Sequence, residues 1–232
     1  MKRIVVFTGA GMSAESGIRT FRDSGGLWEE HDVRDVATPE AWSRNPDLVT
    51  RFYNQRRKQM QESSPNEGHL ALVRLESNFD VTIITQNVDD LHERAGSSKV
   101  MHLHGELSKC RSTADPELVY DVDGWELTAD SKCDLGSRLR PHIVWFGEDV
   151  PMMPPAIQLT SLAEIFIIIG TSLEVYPAAG LVLRAPMESQ KYYVDPNASN
   201  ISDISNLTII REKSGVALPQ LVDELLSMNS GK

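Results

Sequence analysis

Cysteine is almost missing from this 232-residue chain, with only Cys110 and Cys133 present. Two thiols over that length cannot build the disulfide framework of a small secreted protein, which points to a reducing, cytoplasmic setting. Long apolar runs are missing as well, and no stretch approaches the ~20 apolar residues of a membrane span. The one stretch to check for a secretory leader, residues 1–7, has basic residues before apolar ones but stops at Thr8-Gly9. That is far short of the roughly 7–15 apolar residues a leader core needs. Positive charge is in deficit: 23 Lys and Arg stand against 33 Asp and Glu, a balance of −10. Such a field opposes nucleic acids and anionic membranes and mildly favours basic protein segments. Internal repeats and domain linkers are also missing, so 1–232 reads as one domain, with a monomer favoured.

What is present is a globular alternation of strand and helix. Residues 3–7, 81–85, 165–169, 192–194 and 207–210 are short β-branched or aromatic runs. Continuous rather than alternating apolar runs suit parallel strands covered on both faces. Helical patterns lie between them at 39–60, broken at Asn45-Pro46, at 65–76 and at 219–228. The expected fold is α/β, a Rossmann-like doubly wound parallel sheet. The polar, acidic segment 108–139 breaks this rhythm and holds both cysteines, so a small inserted lobe is expected, approximately 29–62 and 106–140.

Gly9-Ala10-Gly11-Met12-Ser13-Ala14 follows the first strand and fits G-x-G-x-x-[G/A]. In that pattern the first glycine allows a tight turn, the second lets backbone N–H groups approach a pyrophosphate, and Ala14 lets the next helix pack closely. The rest of a dehydrogenase fingerprint does not follow. Residues 15–28 are a glycine-punctuated loop with two arginines, lacking the second strand and acidic ribose ligand that hydride-transfer enzymes carry some 20 residues on.

That loop carries Gly9-Ala10-Gly11-x-Ser13-x-Glu15-Ser16-Gly17-Ile18-x-x-Phe21-Arg22 and ends in Gly26-Leu27-Trp28. Thr85-Gln86-Asn87-Val88-Asp89, His102-Leu103-His104-Gly105, Arg140-Pro141-x-Ile143-Val144-x-Phe146-Gly147-Glu148 and Gly170-Thr171-Ser172-Leu173 come after it. In order and content this series resembles the sirtuin family of NAD-dependent protein deacylases. The resemblance implies that an acyl-lysine carbonyl oxygen displaces nicotinamide from the ribose C1′ of NAD, and that water finally releases lysine and O-acyl-ADP-ribose.

Such chemistry needs a base near neutral pH, a task suited to histidine. Chain order in the resemblance selects His104; His102, two residues earlier, faces the other way in an extended segment and reads as structural. The resemblance gives Asn87 and Asp89 the nicotinamide and ribose region and Gln86 a ribose hydroxyl. It makes Phe21 a shield for the reactive carbon and Arg22 a cofactor-positioning group. The same loop contributes Gly9, Ala10, Gly11, Ser13, Ala14, Glu15 and Trp28, while Gly170, Thr171 and Ser172 take phosphates and ribose. Two adenosine-side positions depart from the family pattern: Asp195 stands where Asn is common, and Glu212-Lys213-Ser214 replaces Gly-x-Ala before the last helix. Val144, Phe146, Gly147 and Glu148 resemble the segment that pairs with the substrate backbone as an added strand.

Tyr53 and Arg56 are three residues apart and share a helix face. An Arg and a phenol on one wall of an apolar channel can bind a carboxylate. The Tyr-x-x-Arg pair resembles the sirtuin subclass that removes succinyl and malonyl groups, whereas Arg57 and Lys58 read as a solvated basic face. Most of the family carries zinc on two Cys-x-x-Cys pairs; here each pair has lost a member, leaving Cys110 and Cys133, and zinc is not expected. Acyl-lysine proteins are the implied partners. An NAD-dependent ADP-ribosyltransferase and a non-enzymatic NAD or ADP-ribose binding module are the competing readings.

Overall fold

The computed structural model describes residues 1–18, 27–28, 31–201 and 203–230. In chain order it runs β1 (Arg3–Thr8), β2 (Leu27–Trp28), β3 (His31–Asp32), α1 (Val33–Val36), α2 (Pro39–Arg44), α3 (Pro46–Glu62) and α4 (Glu67–Leu75). Then come β4 (Asp80–Thr85), α5 (Leu91–Ala95), β5 (Val100–His102), β6 (Gly105–Ser112), β7 (Val119–Asp121) and β8 (Leu139–Ile143). The chain closes with α6 (Met153–Thr160), β9 (Ile165–Ile169), β10 (Gln190–Val194), β11 (Leu207–Ile210) and α7 (Ser214–Ser230).

Six strands form one parallel sheet in the order β11-β10-β9-β1-β4-β5. Counted within that sheet this is the doubly wound order, and its direction reverses between β1 and β9. The apolar runs are explained by burial on both faces. Ile4 and Val6 of β1 and Ile165, Ile167 and Ile169 of β9 face α4 and α7, where they meet Leu72, Leu75, Leu218 and Val222. Their neighbours Val5, Phe7, Phe166 and Ile168 face Ala156 of α6 and the 3₁₀ segment Ala178–Arg184. With a strand period of two, neither face can be polar. The short strand β5 lacks an apolar run and was not read as a strand from sequence; it joins the sheet at its edge through Ile83, Ile84 and Thr85.

Local chemistry sets the helix ends. Asn45 closes α2 and its Oδ1 accepts from Leu48 N at 3.0 Å, while Pro46 begins α3, so one dipeptide ends one helix and starts the next. Asn66 caps α4 with its side chain, and its own amide N–H donates back to His69 Nδ1. The last helix starts at Ser214, five residues before the expected start at 219, and contains Pro219. Pro219 lies in the second turn rather than the first.

The segment 108–139 leaves the main sheet as expected, in a separate antiparallel sheet ordered β7-β6-β8. Its small core joins Cys110, Leu127, Cys133 and Leu139 with Tyr120 and Val122. The helix α3 pins this lobe from behind. Asn54 Nδ2 donates to Leu127 O at 2.8 Å and its Oδ1 accepts from Leu127 N at 3.0 Å. Arg57 donates to Leu107 O at 2.5 Å and to Trp125 O at 2.7 Å. Arg57 is therefore not part of a solvated face, as its spacing suggested: it is 1% exposed and bridges helix to lobe. Among the described residues no helix is long and apolar enough to cross a membrane.

Candidate active site

Two glycine turns meet where the sheet order reverses. Gly9 N donates to Ile169 O at 2.9 Å and Gly11 N to Gly170 O at 2.8 Å. A Cβ on Gly11 would stand 2.7 Å from the Cα of Gly170, and one on Gly170 (φ +60) would collide with Met12 N. Gly9 itself is extended (φ −125), so it is required for close approach to Thr171 rather than for a left-handed turn. Among the described residues of this loop, Ala10–Met12 and Ala14–Ser16 are single 3₁₀ turns. Glu15 reaches the start of α7, where its Oε2 accepts from Gly215 N at 2.7 Å and lies 3.3 Å from Ser214 Oγ. A carboxylate there complements the positive end of the helix.

The loop after β4 joins the glycine loop through side chains. Ser13 Oγ donates to Asp89 Oδ2 at 2.9 Å and accepts from Asn87 Nδ2 at 3.1 Å. All three residues are buried. Burial raises the Asp89 pKa above the usual carboxylate value, opposed by bonds from Leu91 N and Ser13. Beneath them, Asn87 N donates to Thr85 Oγ1, which also accepts from Thr8 Oγ1 at 2.8 Å. His92 Nε2 lies 3.2 Å from Thr8 Oγ1, and the His92 ring meets His69 edge-on at 4.8 Å. Gln86 Nε2 donates to Thr171 Oγ1 at 3.1 Å, linking this loop to the turn after β9.

His104 stands over that junction. Its Nδ1 lies 3.1 Å from Gln86 O, and a carbonyl can only accept, so Nδ1 carries the proton and Nε2 keeps its lone pair. Burial lowers its pKa below 6.5, against the opposing pull of the Gln86 carbonyl. His102 is arranged differently: Nδ1 bonds Asn87 O at 2.9 Å and Nε2 bonds Glu93 Oε1 at 2.8 Å. Burial works against its charge, but the Glu93 carboxylate overcomes this and its pKa is raised.

One cleft of about 800 Å³ collects these groups. It is lined by Gly9, Ala10, Gly11, Ser13, Ala14, Glu15, Gln86, Asn87, Asp89 and His104, and by Gly170, Thr171, Ser172, Asp195 and Ser214. Tyr53, Arg56, Val144, Phe146, Gly147 and Glu148, expected on the substrate side, line it too. Phe21 and Arg22 lie outside the described residues, and of Trp28 only the strand backbone is described. Tyr53 is fully buried, and its hydroxyl accepts from Trp145 Nε1 at 3.1 Å. Trp145 was missed in the sequence because nothing local ties it to a helix 92 positions away. The Glu148 carboxylate is engaged by Arg140 (2.7 and 3.0 Å), Arg111 (3.2 Å) and Trp145 N (2.8 Å), so its side chain shapes the loop.

The family's zinc ribbon does not fit the residues present. Cys110 Sγ lies 3.6 Å from Tyr120 O and Cys133 Sγ 3.0 Å from Ser137 Oγ, each within the small core. Among the described residues, no group of three or more His, Cys, Asp or Glu could hold an ion. Two thiols cannot close a structural tetrahedron.

A doubly wound α/β sheet with its cleft at the switch point, roofed by a small antiparallel lobe, defines the class of protein. Residues 9–177 match the Sir2 family model, and the chain belongs to that family. It is 51% identical over 234 residues to an NAD-dependent protein deacylase of Helicobacter pylori, covering 99% of this chain and 98% of that protein. A Bacteroides thetaiotaomicron protein of the same name is 49% identical over 231 residues, covering 97% and 99%. Among solved structures, a Sir2 homologue bound to ADP-ribose superposes with a TM-score of 0.91 at 37% identity, covering 100% of this chain and 94% of that one. A Sir2 homologue with NAD gives 0.89 at 37% identity, covering 98% and 91%.

Proposed function

We propose that this chain is an NAD-dependent protein-lysine deacylase that removes acetyl groups and also succinyl and malonyl groups, producing nicotinamide and O-acyl-ADP-ribose. The observation that carries the reading is His104: its Nδ1 is fixed on Gln86 O inside the cleft that also holds Ser13, Asn87, Asp89 and the glycine turns. The side-chain-free backbone at Gly9, Gly11 and Gly170 and the small Ala10 fit an extended dinucleotide at a switch point. Bound NAD supplies the glycosidic bond whose cleavage frees nicotinamide and opens the ribose carbon to the acyl oxygen. Asn87 and Asp89 hold the nicotinamide end, Gln86 a ribose hydroxyl, and Thr171 and Ser172 the ribose and phosphates. Asp195 accepts from the adenosine ribose. His104 Nε2 takes the ribose hydroxyl proton; burial keeps the ring neutral near pH 7 and so available as a base.

Acyl-lysine proteins are the substrates of this reading. The amides of Val144 and Phe146 are tied to His104 O and Ala37 O, both within 3.0 Å. The segment would therefore pair with a substrate strand through its carbonyls and Gly147, reading little sequence. Tyr53 and Arg56 supply a phenol and a guanidinium to the acyl end of the cleft, a pair matched to a terminal carboxylate. A related Sir2 structure, 31% identical with a TM-score of 0.81 and covering 95% of this chain and 92% of that one, holds a deacetylated peptide and acetyl ADP-ribose. The test is a panel of acetyl-, succinyl- and malonyl-lysine peptides with NAD, read by mass spectrometry. Free lysine with stoichiometric O-acyl-ADP-ribose supports the reading; ADP-ribose joined to protein would favour a transferase instead. Arg56→Met should depress desuccinylation far more than deacetylation.

A further inference from the structure

The phenol of Tyr53 does not stand alone in the cleft wall. We propose that Trp145 is a positioning residue for acyl selectivity: its indole N–H fills one lone pair of the Tyr53 hydroxyl and so directs the phenolic proton toward the acyl group. This rests on the carboxylate-binding role given above to Tyr53 and Arg56. It goes beyond that role by naming the residue that sets the donor's direction.

The geometry is over-determined around the indole. Trp145 is 2% exposed and Tyr53 fully buried, and their contact is the 3.1 Å bond from Nε1 to the hydroxyl oxygen. A phenol has one proton and can accept as well as donate. Once an N–H points at the oxygen, the O–H is oriented away from that donor. Burial raises the Tyr53 pKa strongly, so the hydroxyl keeps its proton throughout the working range. The indole is packed against the Arg140 guanidinium, 3.3 Å from its ring centroid, and the tilted ring of Trp42 at 5.8 Å. Arg140 is fixed by Glu148 and by Ile143 O at 2.9 Å, and Trp145 N donates to the same Glu148 carboxylate. The acyl wall is thus wired to the substrate-pairing loop through Glu148, Arg140 and Trp145. A neutral acetyl group presents no carboxylate to receive the phenolic proton, so the device acts on succinyl and malonyl groups.

The experiment is a double-mutant cycle on Tyr53→Phe and Trp145→Phe, reading kcat/KM with succinyl-lysine and acetyl-lysine peptides at saturating NAD. Trp145→Phe removes the N–H and keeps an aromatic ring. It should lower the ratio of desuccinylation to deacetylation about tenfold, chiefly through the KM for the succinyl peptide. In the Tyr53→Phe background the same change should leave that ratio within about twofold, because the hydroxyl it orients is gone. Packing loss at Trp145 appears in both backgrounds and cancels in the comparison. If Tyr53→Phe lowers the ratio but Trp145→Phe does not, or does so equally in both backgrounds, the inference is overturned and the carboxylate role survives. If Tyr53→Phe itself leaves the ratio unchanged, the carboxylate role falls and the inference with it.

Discussion

Ser13 donates a hydrogen bond to Asp89 Oδ2 at 2.9 Å, joining two loops 76 residues apart in the chain. Both residues are buried in the cleft wall, so each would be poorly compensated if the bond were lost. Ser13→Ala takes a donor from a buried carboxylate, which should cost about 1–3 kcal/mol of stability and raise the KM for NAD. Thermal unfolding and steady-state nicotinamide release measure the two effects. An unchanged KM would argue against a cofactor role for this loop junction.

His104→Ala should lower release of free lysine and O-acyl-ADP-ribose by at least about 10²-fold, the lower end for a lost general base, while ADP-ribose still binds. The pH profile follows from the burial that lowers the His104 pKa. The neutral, active form persists below pH 6.5, and kcat/KM should fall only as the pH drops through the lowered value. An acid limb centred above pH 7 would contradict this assignment.

His69 lies under the site, with burial holding its pKa at about 4 against 6.5 for a free imidazole. The unfolded chain therefore binds a proton that the folded chain refuses, and stability falls as the pH drops from 6.5 toward 4. At about 1.4 kcal/mol per unit, this single group removes about 3 kcal/mol across that window. His69→Gln keeps an acceptor for the Asn66 amide and lacks the titration. The stability advantage of the native chain over this variant should therefore shrink steadily between pH 6.5 and 4 in urea titrations. A constant difference would show that His69 protonates equally in both states.

Arg57 and Asn54 hold the antiparallel lobe to α3. Arg57→Met leaves the Leu107 and Trp125 carbonyls without this donor, so the melting temperature should fall by several degrees. A strong zinc chelator should leave the native melting temperature unchanged, and metal analysis should find no stoichiometric zinc. A chelator-induced drop would place a metal in the lobe.

Much of this molecule is legible in its sequence because the physics is local. The runs at 165–169 and 81–85 had to be buried strands, and Asn45-Pro46 had to end one helix and begin another. The cleft residues stood in motifs at strand ends, where a doubly wound sheet collects its ligands. Other features were hidden. The edge strand β5 carries Val, Met and His, too short and mixed a run to announce itself. Arg57 looked solvated because helical spacing alone does not say what covers a face; the lobe does.

The sequence by itself determined the alternation of strands and helices, the glycine turns, the family motifs and the shortage of thiols for a metal site. Those depend on backbone propensities and side-chain chemistry that each residue carries wherever it is placed. Tertiary structure alone decided the partnerships: Trp145 with Tyr53, Ser13 with Asp89, Glu15 with the start of α7, and Arg57 with the lobe. Each needs a donor and an acceptor from distant parts of the chain to meet within about 3 Å. Only the closing of the sheet and its lobe brings them there.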